Sequence, residues 1–104
     1  MVDKGFLEQE IIQVLKKVYD PEIPVDIWEL GLIYDLKVND DGNVYIKMTL
    51  TSPACPVAGS LPPEVKEKVS KVKNVKDVVV DLVWDPPWDK EMMSEEAQLE
   101  LGFL

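Results

Sequence analysis

Between Val44 and Trp84 the spacing of apolar residues changes period twice, and this alternation does more than any other feature to limit the folds open to the chain. Val44, Ile46, Met48 and Leu50 alternate with Tyr45, Lys47 and Thr49, the two-residue period of a half-buried strand. Leu61, Val65, Val69 and Val72 then recur at i, i+4, i+8 and i+11, with lysines and glutamates between them, as on one face of a helix over about residues 61 to 72. After Asn74 the shorter period returns, with Val78, Val80, Leu82 and Trp84 on one face and Val79, Asp81 and Val83 on the other. Strand, helix and strand in one sheet are most simply joined by a right-handed crossover, so these two strands are expected to run parallel. Upstream, Ile33 to Val38 alternates as IYDLKV, and NDDGN, the sharpest turn signal in the chain, leads from it into Val44. That is an antiparallel hairpin.

A first helix precedes the hairpin. Asp3 is its expected N-cap, and Leu7, Ile11, Val14, Leu15 and Val18 mark its inner face to an end near Tyr19. Pro21 disfavours helical geometry at Asp20 and stops it. The segment DPEIPVDIWELG, residues 20–31, is too apolar for a loose linker, and Ile23, Val25, Ile27, Trp28 and Leu30 are expected to pack across the domain near the loop that contains the cysteine. Its acids, Asp20, Glu22, Asp26 and Glu29, would suit a hard metal ion, but an Asp before Pro is an ordinary turn starter and the group has no ligand spacing. On the second helix, Glu64 with Lys68 and Glu67 with Lys71 form i, i+4 pairs in the favourable order.

The tail, WDPPWDKEMMSEEAQLELGFL, carries two of the three tryptophans around a Pro-Pro pair. Ser94 is placed to cap a short third helix that starts with Glu95 and Glu96 and stops at Gly102. Trp84, Trp88, Met92, Met93, Leu99, Leu101 and Phe103 are expected to cover a bare face or edge of the sheet, which three strands need for stability. The competing reading makes this apolar and acidic tail a docking surface. The expected fold is therefore one small α/β domain of the α+β kind over residues 1–104, in the order α-β-β-α-β-α. It has a three-stranded mixed sheet with the first two helices on one face, and residues 84–104 form the tail and its helix.

Composition excludes several functions. At 104 residues the chain makes one domain, burying roughly 65% of its unfolded surface. Cys55 stands alone, so no internal disulfide forms. No apolar run is long enough to cross a bilayer and no signal-like start is evident, which makes the cytoplasm the expected location and a membrane an unexpected partner. Eleven lysines face twenty acids with no arginine or histidine, a net charge of −9 that opposes nucleic-acid binding. Without histidine, Cys/His catalysis and Cys/His zinc sites are unavailable within the chain.

What remains is TLTSPACPVAGS, residues 49–60, where the strand hands over to the helix. Pro53 and Pro56 forbid continuation as strand or helix. A loop at the carboxyl end of a strand and beside a helix start is where α/β proteins place ligands and where a thiolate is stabilised. Cys55 is the candidate functional residue, and the bland alternative makes it a small buried hydrophobe.

Four pieces stand together in order: DPEIPVDIWELGLIYDL, the hairpin, TSPACP before a helix, and a tail of tryptophan and proline followed by SEEAQLELG. Over nearly its whole length the chain resembles the metal-sulfur cluster biosynthesis family that includes SufT, the PaaD protein of phenylacetate degradation and the cytosolic iron-sulfur targeting subunit of eukaryotes. The resemblance implies an α/β fold related to iron-sulfur scaffold domains and a non-enzymatic role in maturing iron-sulfur proteins, as an assembly or delivery factor. Carried onto this chain it selects Asp20, Pro21, Glu22 and Trp28 to Leu32 of the box, Thr51, Cys55 and Pro56 of the loop, and Trp84, Pro87, Trp88 and Ser94 to Ala97 of the tail. Gln98 stands where many members carry arginine. Cys55 becomes the implied metal contact, with Thr51 orienting it and Asp20 and Glu22 as supporting acids, while Trp28, Trp84 and Trp88 become partner contacts.

Clusters are normally held by four protein ligands. One chain supplies one thiolate, so iron or an iron-sulfur cluster is expected as a transient occupant, shared between chains or completed by another protein's ligands, and not permanently bound. The implied partners are iron-sulfur scaffold or carrier proteins and client apoproteins. A homodimer would cover the sheet's edges, although the acidic charge opposes it. Two other classes compete. A pure adaptor would bind through the box and tail with Cys55 as packing. A thiol enzyme would need Asp20 or Glu22 as base, a poor pairing because a nearby carboxylate raises a thiol's pKa.

Overall fold

A computed structural model describes residues 3–19, 25–50 and 61–102. Helix α1 spans Lys4–Leu15, and Asp3 caps it as its sequence position predicts, its carboxylate accepting from Phe6 N–H at 3.1 Å. The helix ends a turn before the expected Tyr19. Ile27 N–H donates to Val18 O at 2.8 Å, and Tyr19 bridges Asp26, so the chain is already extended and paired there. Val18 nonetheless stays buried beside Leu7, Ile11 and Leu15.

Strands β1 (Ile33–Val38) and β2 (Asn43–Met48) form the expected antiparallel hairpin, with Val38 opposite Val44 and Leu36 opposite Ile46. Asn39 Oδ1 closes the turn by accepting from Asp41 N–H and Asn43 N–H, and Gly42 supplies the positive φ. Helix α2 spans Leu61–Ser70, with Pro62 and Pro63 in its first turn, where a missing N–H costs little. Both sequence-derived ion pairs form, Glu64–Lys68 at 2.9 Å and Glu67–Lys71 at 3.3 Å, on the exposed face where such pairs add little.

Strand β3 (Asp77–Leu82) runs parallel to β2, so the sheet order is β1-β2-β3 with one antiparallel and one parallel ladder. Val44, Ile46 and Met48 of the central strand point into the core formed with α1 and α2, where Leu61, Val65 and Val69 meet them. A 3-10 turn (Lys90–Met92) and helix α3 (Glu95–Glu100) complete the order α-β-β-α-β-α. Ser94 caps α3 through Ala97 N–H, and Gly102 follows the helix at positive φ. Trp84 departs from expectation. The strand ends at Leu82, and the tryptophan lies beyond it, 44% exposed, instead of extending the inner face.

Candidate functional site

The segment from Val25 to Leu32 is a compact turn rather than a linker. Val25, Ile27, Leu30 and Leu32 enter the core, and Trp28 packs against it half-buried. Local bonds shape the turn: Asp26 Oδ2 accepts from Glu29 N–H at 3.0 Å, Leu30 N–H donates to Asp26 O, and Gly31 N–H donates to Trp28 O. The tail then grips it. Trp88 Nε1–H donates to Leu30 O at 2.7 Å, Ser94 N–H to Glu29 O at 2.8 Å, and Ser94 Oγ to Glu29 Oε1 at 3.0 Å. A Cβ on Gly31 would stand 2.3 Å from Met92 O, so the tail backbone lies directly on the glycine.

This unit adjoins the strand that leads to the cysteine. Thr49 N–H donates to Leu32 O at 2.9 Å, tying the end of the box to the end of β2. Thr49 is fully buried, and its Oγ1 has no hydrogen-bond partner among the described residues. Leu50 and Leu61, on either side of the loop in sequence, are both buried in the core. Thr51, Cys55 and Pro56 lie outside the described residues, as do Asp20 and Glu22 of the box. The structure therefore fixes where the loop leaves and rejoins the domain.

On the outer face of the sheet the tail and β1 bound an open cleft of about 690 Å³, with Tyr34, Lys47, Asp85 and Met92 in its walls. Tyr34 Oη donates to Pro86 O at 2.7 Å and lies 3.5 Å from Met92 Sδ. Partial burial pushes its phenol above the ordinary value. The Thr49 hydroxyl beside it opposes the shift without reaching full hydrogen-bonding geometry, and the Asp85 carboxylate adds to it. No sequence period marks Tyr34 for this role, because a bulge between Ile33 and Asp35 re-aims it.

A second recess, of about 270 Å³, lies between the box turn and α3, where, among the described residues, Asp26, Glu29, Glu96 and Glu100 face one cation, Lys16. Desolvation raises the pKa of Asp26, against the lowering effect of its bond from Glu29 N–H. Among the described residues no group of three or more His, Cys, Asp or Glu side chains is placed to hold a metal. Asp26 and Glu29 of the box instead make the turn and tail contacts.

The three tryptophans divide. Trp28 and Trp88 are half-buried against the core, whereas Trp84 is exposed along with Met92 and Leu99. The buried Met93 and Ala97 and the partly buried Leu101 show that the tail covers the domain. Gln98, which stands where many members of the resembled family carry arginine, donates through Nε2 to Met93 O at 3.0 Å and serves the tail's own turn.

The family profile described as iron-sulfur cluster assembly protein matches residues 8–82. The Fe-S protein maturation auxiliary factor of Porphyromonas gingivalis is 55% identical over 97 residues, which cover 93% of this chain and 92% of that protein. The Fe-S protein maturation auxiliary factor SufT of Staphylococcus aureus is 42% identical over 85 residues, covering 82% and 97%. Among solved structures, a domain of unknown function from Bacillus anthracis superposes with a TM-score of 0.88 at 41% identity, over 97% of this chain and 96% of that one.

Proposed function

The chain belongs to the iron-sulfur cluster assembly protein family, and from that premise we propose that it is an assembly or delivery factor in the maturation of Fe-S proteins, with Cys55 as a transient ligand for iron or a cluster. The observation that carries the reading is the similarity to a Fe-S protein maturation auxiliary factor along 93% of the chain. Cys55 contributes the thiolate, the soft ligand that iron-sulfur clusters require. Grouped with Cys55 are Thr51 and Pro56 of the same sequence segment and the box acids Asp20 and Glu22, the residues that the family resemblance selects. One cysteine per chain is far from the usual four ligands. The cluster is thus cargo, held during transfer by ligands that a scaffold, carrier or client protein completes. The chain acts in the cytoplasm and catalyses no reaction of its own.

The partner contact narrows to Trp84. It is exposed beside the cleft residues Asp85 and Pro86, whereas Trp28 and Trp88 are committed to the fold. This exposure also supports the adaptor reading, in which the tail recruits partners and the thiol is dispensable. One pair of variants separates the two. Cells dependent on this protein for client activity are complemented with Cys55→Ser or Trp84→Ala, and the purified proteins are reconstituted anaerobically with iron and sulfide. Loss of client activity and of metal uptake in Cys55→Ser, with folding intact, is expected. Full client activity in Cys55→Ser, together with loss in Trp84→Ala, would replace cargo handling with recruitment.

A further inference from the structure

A strand at the rim of a sheet offers a row of unpaired amides to any other extended chain. Because β2 is central, β1 and β3 are both rims. The bonds at the strand ends reveal which amides point outward. Asn39 N–H donates to Asn43 O at 3.0 Å, so in the alternating antiparallel ladder beyond the bulge the amides of Asp35 and Lys37 face β2. Those of Leu36 and Val38 face away. In the parallel ladder Val83 N–H donates to Met48 O at 2.8 Å, with Asp81 in register with Lys47 and Val79 with Tyr45. The odd-numbered amides of β3 therefore also face β2, and those of Val78, Val80 and Leu82 face outward.

On each rim an aspartate has already taken one outward amide. Asp35 Oδ1 accepts from Leu36 N–H at 2.9 Å, and Asp77 Oδ1 accepts from Val78 N–H at 2.9 Å. The two rims belong to different ladders, one antiparallel and one parallel, yet they carry the same arrangement. On β1 the bulge between Ile33 and Asp35 interrupts the template as well. An incoming carbonyl would find the donor occupied and would lie against the carboxylate that occupies it, an unfavourable approach for two acceptors.

We propose that Asp35 and Asp77 close both rims of the sheet to strand addition, so that neither a second copy of this chain nor an extended segment of a partner joins the domain by lengthening its sheet. Contacts with other proteins are then made through side chains and loops. The net charge of −9 acts in the same direction against a second copy. The two aspartates act at the rims independently of any role for Cys55.

The test measures mass by light scattering and amide exchange by NMR, at low and high concentration, for the full chain and for Asp35→Ala, Asp77→Ala and Asp77→Asn. The wild type is expected to keep the mass of one chain throughout, with exchange at Leu36 and Val78 independent of concentration. Each alanine variant should gain mass on concentrating, and the outward amides of its altered strand should slow about tenfold. Asp77→Asn keeps an acceptor oxygen and should remain a single chain. Concentration-dependent protection of Leu36 or Val78 in the wild type would overturn the proposal, as would folded alanine variants that stay single chains. A comparison within the wild type covers the case of an alanine variant that does not fold: Val78 N–H should exchange more slowly than the outward Val80 N–H, and equal rates would also overturn the proposal.

Discussion

The two turns that flank β1 start from similar ingredients and are held by different means. In the hairpin turn, Asn39 Oδ1 takes the amides of Asp41 and Asn43, and Gly42 N–H returns to Asn39 O, so these bonds stay within five consecutive residues. In the box turn, Asp26 plays the part of Asn39 and Gly31 that of Gly42, but the turn is also gripped by Trp88, 58 positions beyond Leu30, and by Ser94, 65 positions beyond Glu29. The first turn can form from local contacts as the chain collapses. The second is complete only when the tail arrives. A site built on the box is therefore open to control from the tail, whereas the hairpin turn, closed by its own residues, meets distant sequence at Gly42, whose carbonyl accepts from Lys76 N–H at 2.8 Å.

The largest expected effect comes from the glycines. Gly31 has φ +78 and Gly42 φ +88, and a Cβ at either would meet a backbone oxygen at 2.3 Å, that of Met92 or Asn74. Each Gly→Ala change is expected to cost about 3 kcal/mol in denaturant unfolding, combining backbone strain with a displaced neighbour. The contrast lies in what is displaced. Gly31→Ala should loosen the tail, opening it to proteolysis and the half-buried Trp88 to fluorescence quenching, whereas Gly42→Ala should leave the tail docked. Identical tail behaviour in the two variants would erase the distinction between the turns.

A smaller effect is expected from the clasp itself. Trp88→Phe removes the donor to Leu30 O while keeping most of the packing, and should cost about 1 kcal/mol. Ser94→Ala removes the cap of α3 and the contact to Glu29, for about another 1 kcal/mol. The double variant measures whether the two bonds act as one clasp. A cost clearly different from the sum of the single costs identifies them as coupled, and strict additivity would make them separate anchors.

The smallest effect is electrostatic and belongs to the box alone. Burial raises the pKa of Asp26 above its ordinary value of 3.8, so the folded state binds this proton more tightly than the unfolded chain does. Its favourable contribution is present below the unfolded value and is lost as pH rises through the folded value. Asp26→Asn, which can still accept from Glu29 N–H, should therefore gain stability relative to the wild type as pH rises across the acid range just above 3.8. Paired unfolding curves at several pH values check this, and a difference that does not change with pH would remove Asp26 from the account. The corresponding change at the hairpin, Asn39→Asp, has no such desolvated position to act through, since Asn39 is exposed.

Much of the fold was legible in particular residues. NDDGN announced the hairpin, the stripe of Leu61, Val65 and Val69 announced α2, and Asp3 and Ser94 were recognisable as caps because capping depends on residues three positions away. Where α1 ends was less legible. Val18 continues the helical stripe to Tyr19, yet the bond from Ile27 N–H to Val18 O draws that stretch into extended pairing. The same limit applied to the tryptophans. Composition marked all three as apolar and costly to expose, but only packing separated Trp84 from Trp28 and Trp88.

By itself the sequence determined the order of elements, the direction of each strand, the family resemblance and Cys55 as the one thiol available for soft-metal chemistry, because period, turn chemistry and residue type act over a few neighbouring positions. Tertiary structure alone decided that the tail clasps the box, that Gly31 lies beneath Met92 O, that Tyr34 turns toward Pro86, and that Asp35 and Asp77 occupy outward amides. Most of these contacts join residues dozens of positions apart, and the two aspartates matter only because their strands lie at the rims of the assembled sheet. Their strength comes from burial and alignment that exist only once the sheet and core have formed.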